Sequence, residues 1–140
     1  MKVLVVVLSS LLAVAGCDSP GGPDDEDVLD YERLLQALRQ SGLSAQPAGQ
    51  VSQPFFSVPS RLIAIDADQV QVLEYPDERS AQADAARISP DGSTVGNSHV
   101  DWVAPPHFYR AGRLLVLYVG NRADAKAALE RLLGPQFAGR

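Results

Sequence analysis

Three side chains past the middle of the chain have the types and spacing of a metal site. His99, Asp101 and His107 offer two imidazoles and a carboxylate. On a strand, residues 99 and 101 point the same way, and His107 could join them after the bend at Pro105-Pro106. Three such ligands with a fourth position open resemble a catalytic zinc arrangement. The spacing is no standard ligand pattern, and the competing assignment is a surface His beside a polar strand face. Just upstream, Gly96-Asn97-Ser98-His99-Val100 approaches the nucleophile elbow, in which a sharp strand-to-helix turn exposes a serine. Here Val100 replaces the last glycine and no helix is expected to follow, which disfavours a serine hydrolase. No Gly-rich phosphate loop, CxxC, HExxH or EF-hand loop occurs. No catalytic residue is therefore assigned, and no cofactor is expected.

A second concentration of chemistry is aromatic. Trp102, His107, Phe108, Tyr109 and Tyr118 crowd around the last hairpin. Alternate residues on a strand face opposite ways, so about half of these rings should line the core. Trp102, His107 and Tyr109, with Arg110 and Arg113, form a candidate binding surface for a protein or an acidic ligand. Structural packing is the competing role.

The single cysteine has a third kind of chemistry. Met1-Lys2 supplies a positive end, and Val3 to Ala15 is an apolar run of about thirteen residues, the length of a signal-peptide core. It is short of the ~20 residues needed to span a bilayer. Leu12-Ala13-Val14-Ala15-Gly16-Cys17 resembles the lipobox of bacterial lipoproteins. The resemblance implies a signal peptide over 1–16, cleavage before Cys17, a diacylglycerol on the Cys17 sulfur and often acylation of the new amino end. Several acyl chains hold a protein on a membrane where one alone is marginal. It further implies export, with the domain outside the cytoplasm, anchored to the outer face of the cytoplasmic membrane or to the outer membrane. Once Cys17 is lipidated no thiol is left for a disulfide or a thiolate–metal site, despite the oxidising compartment.

The positioning elements follow from the rest of the chain. Its 140 residues carry a formal net charge of −5, with a pI near 4.8, which argues against binding a nucleic-acid backbone. Residues 17–27, the lipidated Cys and an acidic Asp/Glu/Pro/Gly/Ser run, read as a flexible tether spanning about 17 Å on average. Residues 28–140 are enough for one domain.

A first helix is expected over Val28–Ser41, with Val28, Tyr31, Leu34, Leu35 and Leu38 as its apolar stripe and Gly42 as its stop. Pro47 and Pro54 make Leu43–Pro59 an irregular edge segment followed by a bend. Phe55-Phe56 within it reads as a plug on the core. Arg61–Ile65 and Gln69–Tyr75 form a hairpin with apolar residues on both faces, so that its sheet is largely covered on one side and partly on the other. A helix over Pro76–Ile88, a turn at Ser89-Pro90-Asp91-Gly92, a polar loop over Ser93–Ser98 and a short strand over Val100–Val103 follow. His107–Arg110 then turns at Ala111-Gly112 into Arg113–Val119, apolar at nearly every position and so covered on both faces. Asn121 is the expected cap of a third helix with Ala125, Ala128, Leu129 and Leu132 inward. The order α-β-β-β-α-β-β-α predicts an α+β fold: a mostly antiparallel sheet of four or five strands with about three helices, mainly on one face.

Pro54-Phe55-Phe56-Ser57-Val58, Ile88-Ser89-Pro90-Asp91-Gly92, Trp102-Val103-Ala104-Pro105-Pro106-His107-Phe108 and Leu133-Gly134-Pro135-Gln136-Phe137, with the stretch Val70–Pro76, are similar to a group of small bacterial lipoproteins and secreted proteins. The likeness covers most of the chain after the tether and implies an address and a single domain, without an activity. The leading expectation is thus a lipid-anchored, non-catalytic binding or accessory module of the cell envelope. Its partners are the membrane, through acyl chains on Cys17, and an envelope protein. The alternatives are a small metal-dependent enzyme using the His99–Asp101–His107 neighbourhood, or an inhibitor presenting the Pro54–Pro59 or Ser89–Ser98 loop to a secreted enzyme.

Overall fold

The structure is a computed structural model that describes residues 30–140; the expected signal peptide, Cys17, the expected tether and Val28 lie outside the described residues. Helix α1 runs over Tyr31–Gln40. Asp30 caps it, its carboxylate accepting the Arg33 N–H at 2.9 Å, so one of the orphan donors of the first turn is satisfied. The expected stripe of Tyr31, Leu34, Leu35 and Leu38 is buried.

Strands β1 (Ala45–Val51), β2 (Ser60–Ile65) and β3 (Asp68–Glu74) form an antiparallel meander. The register of β1 shifts between Pro47 and Gln50, where Gly49 takes φ +95°, a conformation that costs glycine little. Helix α2 covers Glu78–Ala85 and is shorter than expected at both ends. Its cap is Asp77, which accepts the Ser80 N–H at 2.7 Å, leaving Pro76 outside. Ile88 has left the helix and bridges Val95.

A two-residue hairpin, β4 (Thr94–Val95) and β5 (Ser98–His99), stands where a polar loop was expected. Val100–Val103, expected as a strand, is loop instead. Strands β6 (Pro106–Ala111) and β7 (Leu114–Val119) pair in the expected hairpin, with its turn one residue later at Gly112-Arg113. Helix α3 spans Ala123–Leu133, and β8 (Ala138–Gly139) adds a last short strand on β6.

The main sheet has the order β1-β2-β3-β7-β6-β8, with every pairing antiparallel. The α+β class stands; the sheet reaches six strands because β1 pairs despite Pro47 and β8 joins the far edge. Alternation divides the core in two. Leu114, Val116 and Tyr118 of β7 meet α1 and α3 with Ile63, Ile65, Val70 and Val72. Leu115 and Leu117 point the other way and meet Leu73, Phe108, Phe56 and the small α2 residue Ala81. Helices therefore lie on both faces, two against one. The smaller layer leaves Leu62, Ala64 and Gln71 only half buried on its side, which is the uneven coverage the hairpin pattern predicts.

Candidate functional site: a groove beside an anchored loop

The metal arrangement does not assemble. His99 and Asp101 are neighbours, Nε2 to Oδ1 at 3.4 Å, and both are exposed. His107 is 2% exposed, and its ring stacks on Tyr118 with centroids 5.8 Å apart. Its Nε2–H donates to the Gly120 carbonyl at 2.9 Å, while Nδ1 lies 2.8 Å from Gln136 Oε1. A carbonyl only accepts, so Nε2 carries the proton, and the ring has no free lone pair on that side for a metal. Among the described residues no group of three His, Cys, Asp or Glu side chains could hold a metal ion. The elbow-like stretch is a hairpin, with Ser98 in β5, and lacks the strand-turn-helix that would expose a nucleophile.

The expected aromatic surface divides. Tyr109 is 1% exposed and belongs to the core under α3; burial pushes its phenol up to about 12. His107 is buried as described. Arg110 and Arg113 remain half exposed but are occupied. Arg110 lies 3.5 Å from Glu78. Arg113 meets Glu74 at 2.6 Å and also donates to the Tyr75 carbonyl at 3.2 Å. Neither is a spare cation for an acidic ligand.

Trp102 is where the site is. The loop after β5 is pinned at three points. Val100 N–H donates to the Ser93 carbonyl at 2.9 Å, and Gly120 N–H to the Pro105 carbonyl at 3.1 Å. Between them the indole Nε1–H donates to the Gly92 carbonyl at 2.7 Å. The ring packs edge-on against Phe55 and Phe108, at 6.5 and 6.0 Å between centroids. The Phe55-Phe56 pair, with Phe56 buried, thus backs the loop as well as plugging the core. Below it, Asp91 Oδ1 accepts from Ser89 Oγ, Ser93 N–H and Ser93 Oγ at 2.8, 3.0 and 2.8 Å. The bonds from Ser93 hold that carboxyl well below the usual carboxylate range. Gly92 sits at φ +72°, where a Cβ would meet the Phe108 ring at 3.0 Å.

The loop divides two grooves. The one on the β5 side holds about 350 Å³ between His99, Ser93, Pro106 and Arg140. The other holds about 480 Å³ and lies over the uncovered part of β3. Its apolar lining includes Trp102, the wholly exposed Val103 and Val119. Its polar lining is the amides of Gln53, Gln69 and Gln71 with Asp68 and Asp101, and Gln69 lies directly across from Val119 in the sheet. Among the described residues no Lys, Arg or His lines it. The Gln71 Oε1 is buried and has no hydrogen-bond partner among the described residues, a state that costs about 1–3 kcal/mol.

Behind the groove, on the other face of the sheet, Tyr118 ties Asp68 of its lining to α3. Its hydroxyl donates to Asp68 Oδ2 at 2.7 Å and accepts the Arg122 N–H at 3.0 Å. That bond caps α3 in place of the expected Asn121: the N-cap is Arg122, which makes no side-chain capping bond. A Cβ at Gly120 would lie 2.5 Å from the same hydroxyl. Gly120→Ala should therefore cost about 2 kcal/mol through forced displacement of a packed ring, read as a lower urea midpoint at unchanged slope.

Sequence reasoning missed Gln53, Gln69 and Gln71. The available signal was two polar side chains on one face of a central strand whose other positions are apolar. No protein-family model matches the chain, and neither a curated protein nor a solved structure is similar to it.

Proposed function

We propose that this is a lipid-anchored protein of the bacterial cell envelope, exported and attached through Cys17, whose α+β domain is a non-catalytic binding module. The observation that carries the binding role is the groove over β3. An anchored loop holds an indole beside three amides, groups that position a ligand without exchanging protons with it. The address rests on the lipobox-like run ending at Cys17. Among the described residues no helix is long and apolar enough to cross a membrane.

Both halves of the reading are testable in the native host. Cys17→Ser should abolish palmitate labelling and move most of the protein from the membrane fraction to the soluble one; retention in the membrane fraction would remove the anchor. A photo-crosslinking residue at Val103 should give a discrete adduct that disappears in Gln71→Met. No adduct above the unirradiated control would remove the binding role.

A further inference from the structure

We propose that the groove over β3 binds a neutral saccharide. The inference rests on the binding-module reading and names the ligand class for the same site. Charge narrows the field first. With no cation in the lining among the described residues, an anionic ligand such as a phosphate or carboxylate meets no opposite charge there. Nor is a cation required. Asp68 already accepts the Tyr118 hydroxyl, and Asp101 is 98% exposed and faces His99, so no buried carboxylate lacks a partner.

Hydrogen bonding narrows it further. Amides both donate and accept, which matches hydroxyl groups that do the same. The unpartnered Gln71 Oε1 needs a donor, and Gln71 belongs to the lining of this groove. Lining the same groove are Trp102 and three valines, Val100, Val103 and Val119, apolar surface for the C–H face of a pyranose. An extended peptide fits less well. Peptides commonly add to an exposed sheet edge through main-chain bonds, but β3 is interior, paired with both β2 and β7, and has no main-chain groups to lend.

Trp102 is the only tryptophan, so its fluorescence reports on the groove directly. The full-length lipidated protein, in detergent, would be titrated with chito-, cello-, malto- and laminari-oligosaccharides, and in parallel with neutral peptides. At least one oligosaccharide series should shift the Trp102 emission saturably. Gln69→Ala and Gln71→Met should each weaken that binding at least tenfold. Gln71→Met should unfold at the same or a higher temperature than the parent, since it removes an unpartnered buried oxygen; a lost response in a protein that still melts cooperatively is thus not a folding defect. Binding unchanged in both variants would overturn the proposal. A response to peptides alone would overturn the saccharide class and leave the binding module standing. Silence toward every probe to about 10 mM, a weak-binding limit, would overturn it as well. The Val103 crosslink would then decide separately whether the groove binds anything.

Discussion

Replacing Asp84 by Ala should lower the stability of the domain by about 3 kcal/mol, the cost of leaving several buried donors without an acceptor. Asp84 sits in α2 and is buried. Its Oδ2 accepts Ser57 N–H at 2.9 Å, Ser57 Oγ at 2.7 Å and the Tyr75 hydroxyl at 2.7 Å, and its Oδ1 takes Arg87 at 3.1 Å. One carboxylate thus fastens α2 both to the segment carrying Phe55-Phe56 and to the end of β3. Helix α2 buries little else, because its face is alanine. In a domain of this size the loss corresponds to roughly 12–24 °C in melting temperature.

The pH dependence has a defined sign. Burial alone would raise the Asp84 carboxyl, but the bonds from Ser57, Tyr75 and Arg87 outweigh it and hold the group below its usual value. A folded-state value below the unfolded one contributes stability above the unfolded value, near 3.9, and this is lost as pH falls through the folded value. Asp84→Asn should therefore flatten the acid limb of stability against pH below about 4, measured by urea denaturation from pH 2 to 7. An acid limb as steep as the parent's would show that other carboxylates carry it.

Tyr118→Ala should cost about 4 kcal/mol, in the range for deleting a fully buried ring, and Tyr118→Phe about 1–2 kcal/mol. The difference separates packing from bonding. The ring fills the core under α1 and α3 and stacks on His107, whereas the hydroxyl joins Asp68 to the first turn of α3. Burial and the Asp68 bond push the phenol up to about 12. A raised folded value gives stability that is complete below the unfolded value near 10 and is lost as pH rises toward 12. Tyr118→Phe should therefore also shallow the alkaline limb between those values. If the Phe variant proves as costly as the Ala variant, the hydroxyl network and not the ring holds this end of the sheet.

The parts of the fold that were legible in the sequence are those with a long, consistent period. The α1 stripe, the β2–β3 hairpin, the apolar β7 and the α3 stripe each repeat over several residues, and each stands within a few positions of where the pattern puts it. The two-residue strands have no period to read. A Gly-Asn turn at 96–97 was the available signal for β4–β5, with Gly96 at φ +58°. Strand β8 exists because the β6 edge, some thirty residues back in the chain, takes its main-chain groups.

The site was hidden by a different effect. Alternation correctly put His107 and Tyr109 on the face opposite Phe108, but it could not say that both faces of β6 are covered. Helix α3 closes one side and the Phe56–Leu117 cluster the other, so neither face of that strand is a surface. The exposed face belongs instead to β2 and β3, where the short, alanine-faced α2 does not reach. That shortfall is a matter of tertiary area and cannot be found within any single stretch of residues.

Under the proposed lipid anchor, the irregular edges of the sheet would matter for a protein crowded on a surface. Copies held in a plane by acyl chains meet sideways far more often than copies in bulk, and a straight open strand would let them zip into ribbons. At β1 that strand is interrupted by Pro47, which has no N–H to lend, and by the kink at Gly49. At the other end β8 covers Pro106–Phe108, with Arg140 N–H donating to the Pro106 carbonyl at 3.1 Å. Neighbouring molecules would therefore slide past one another instead of polymerising, and dense coating of a membrane would leave every groove separately open.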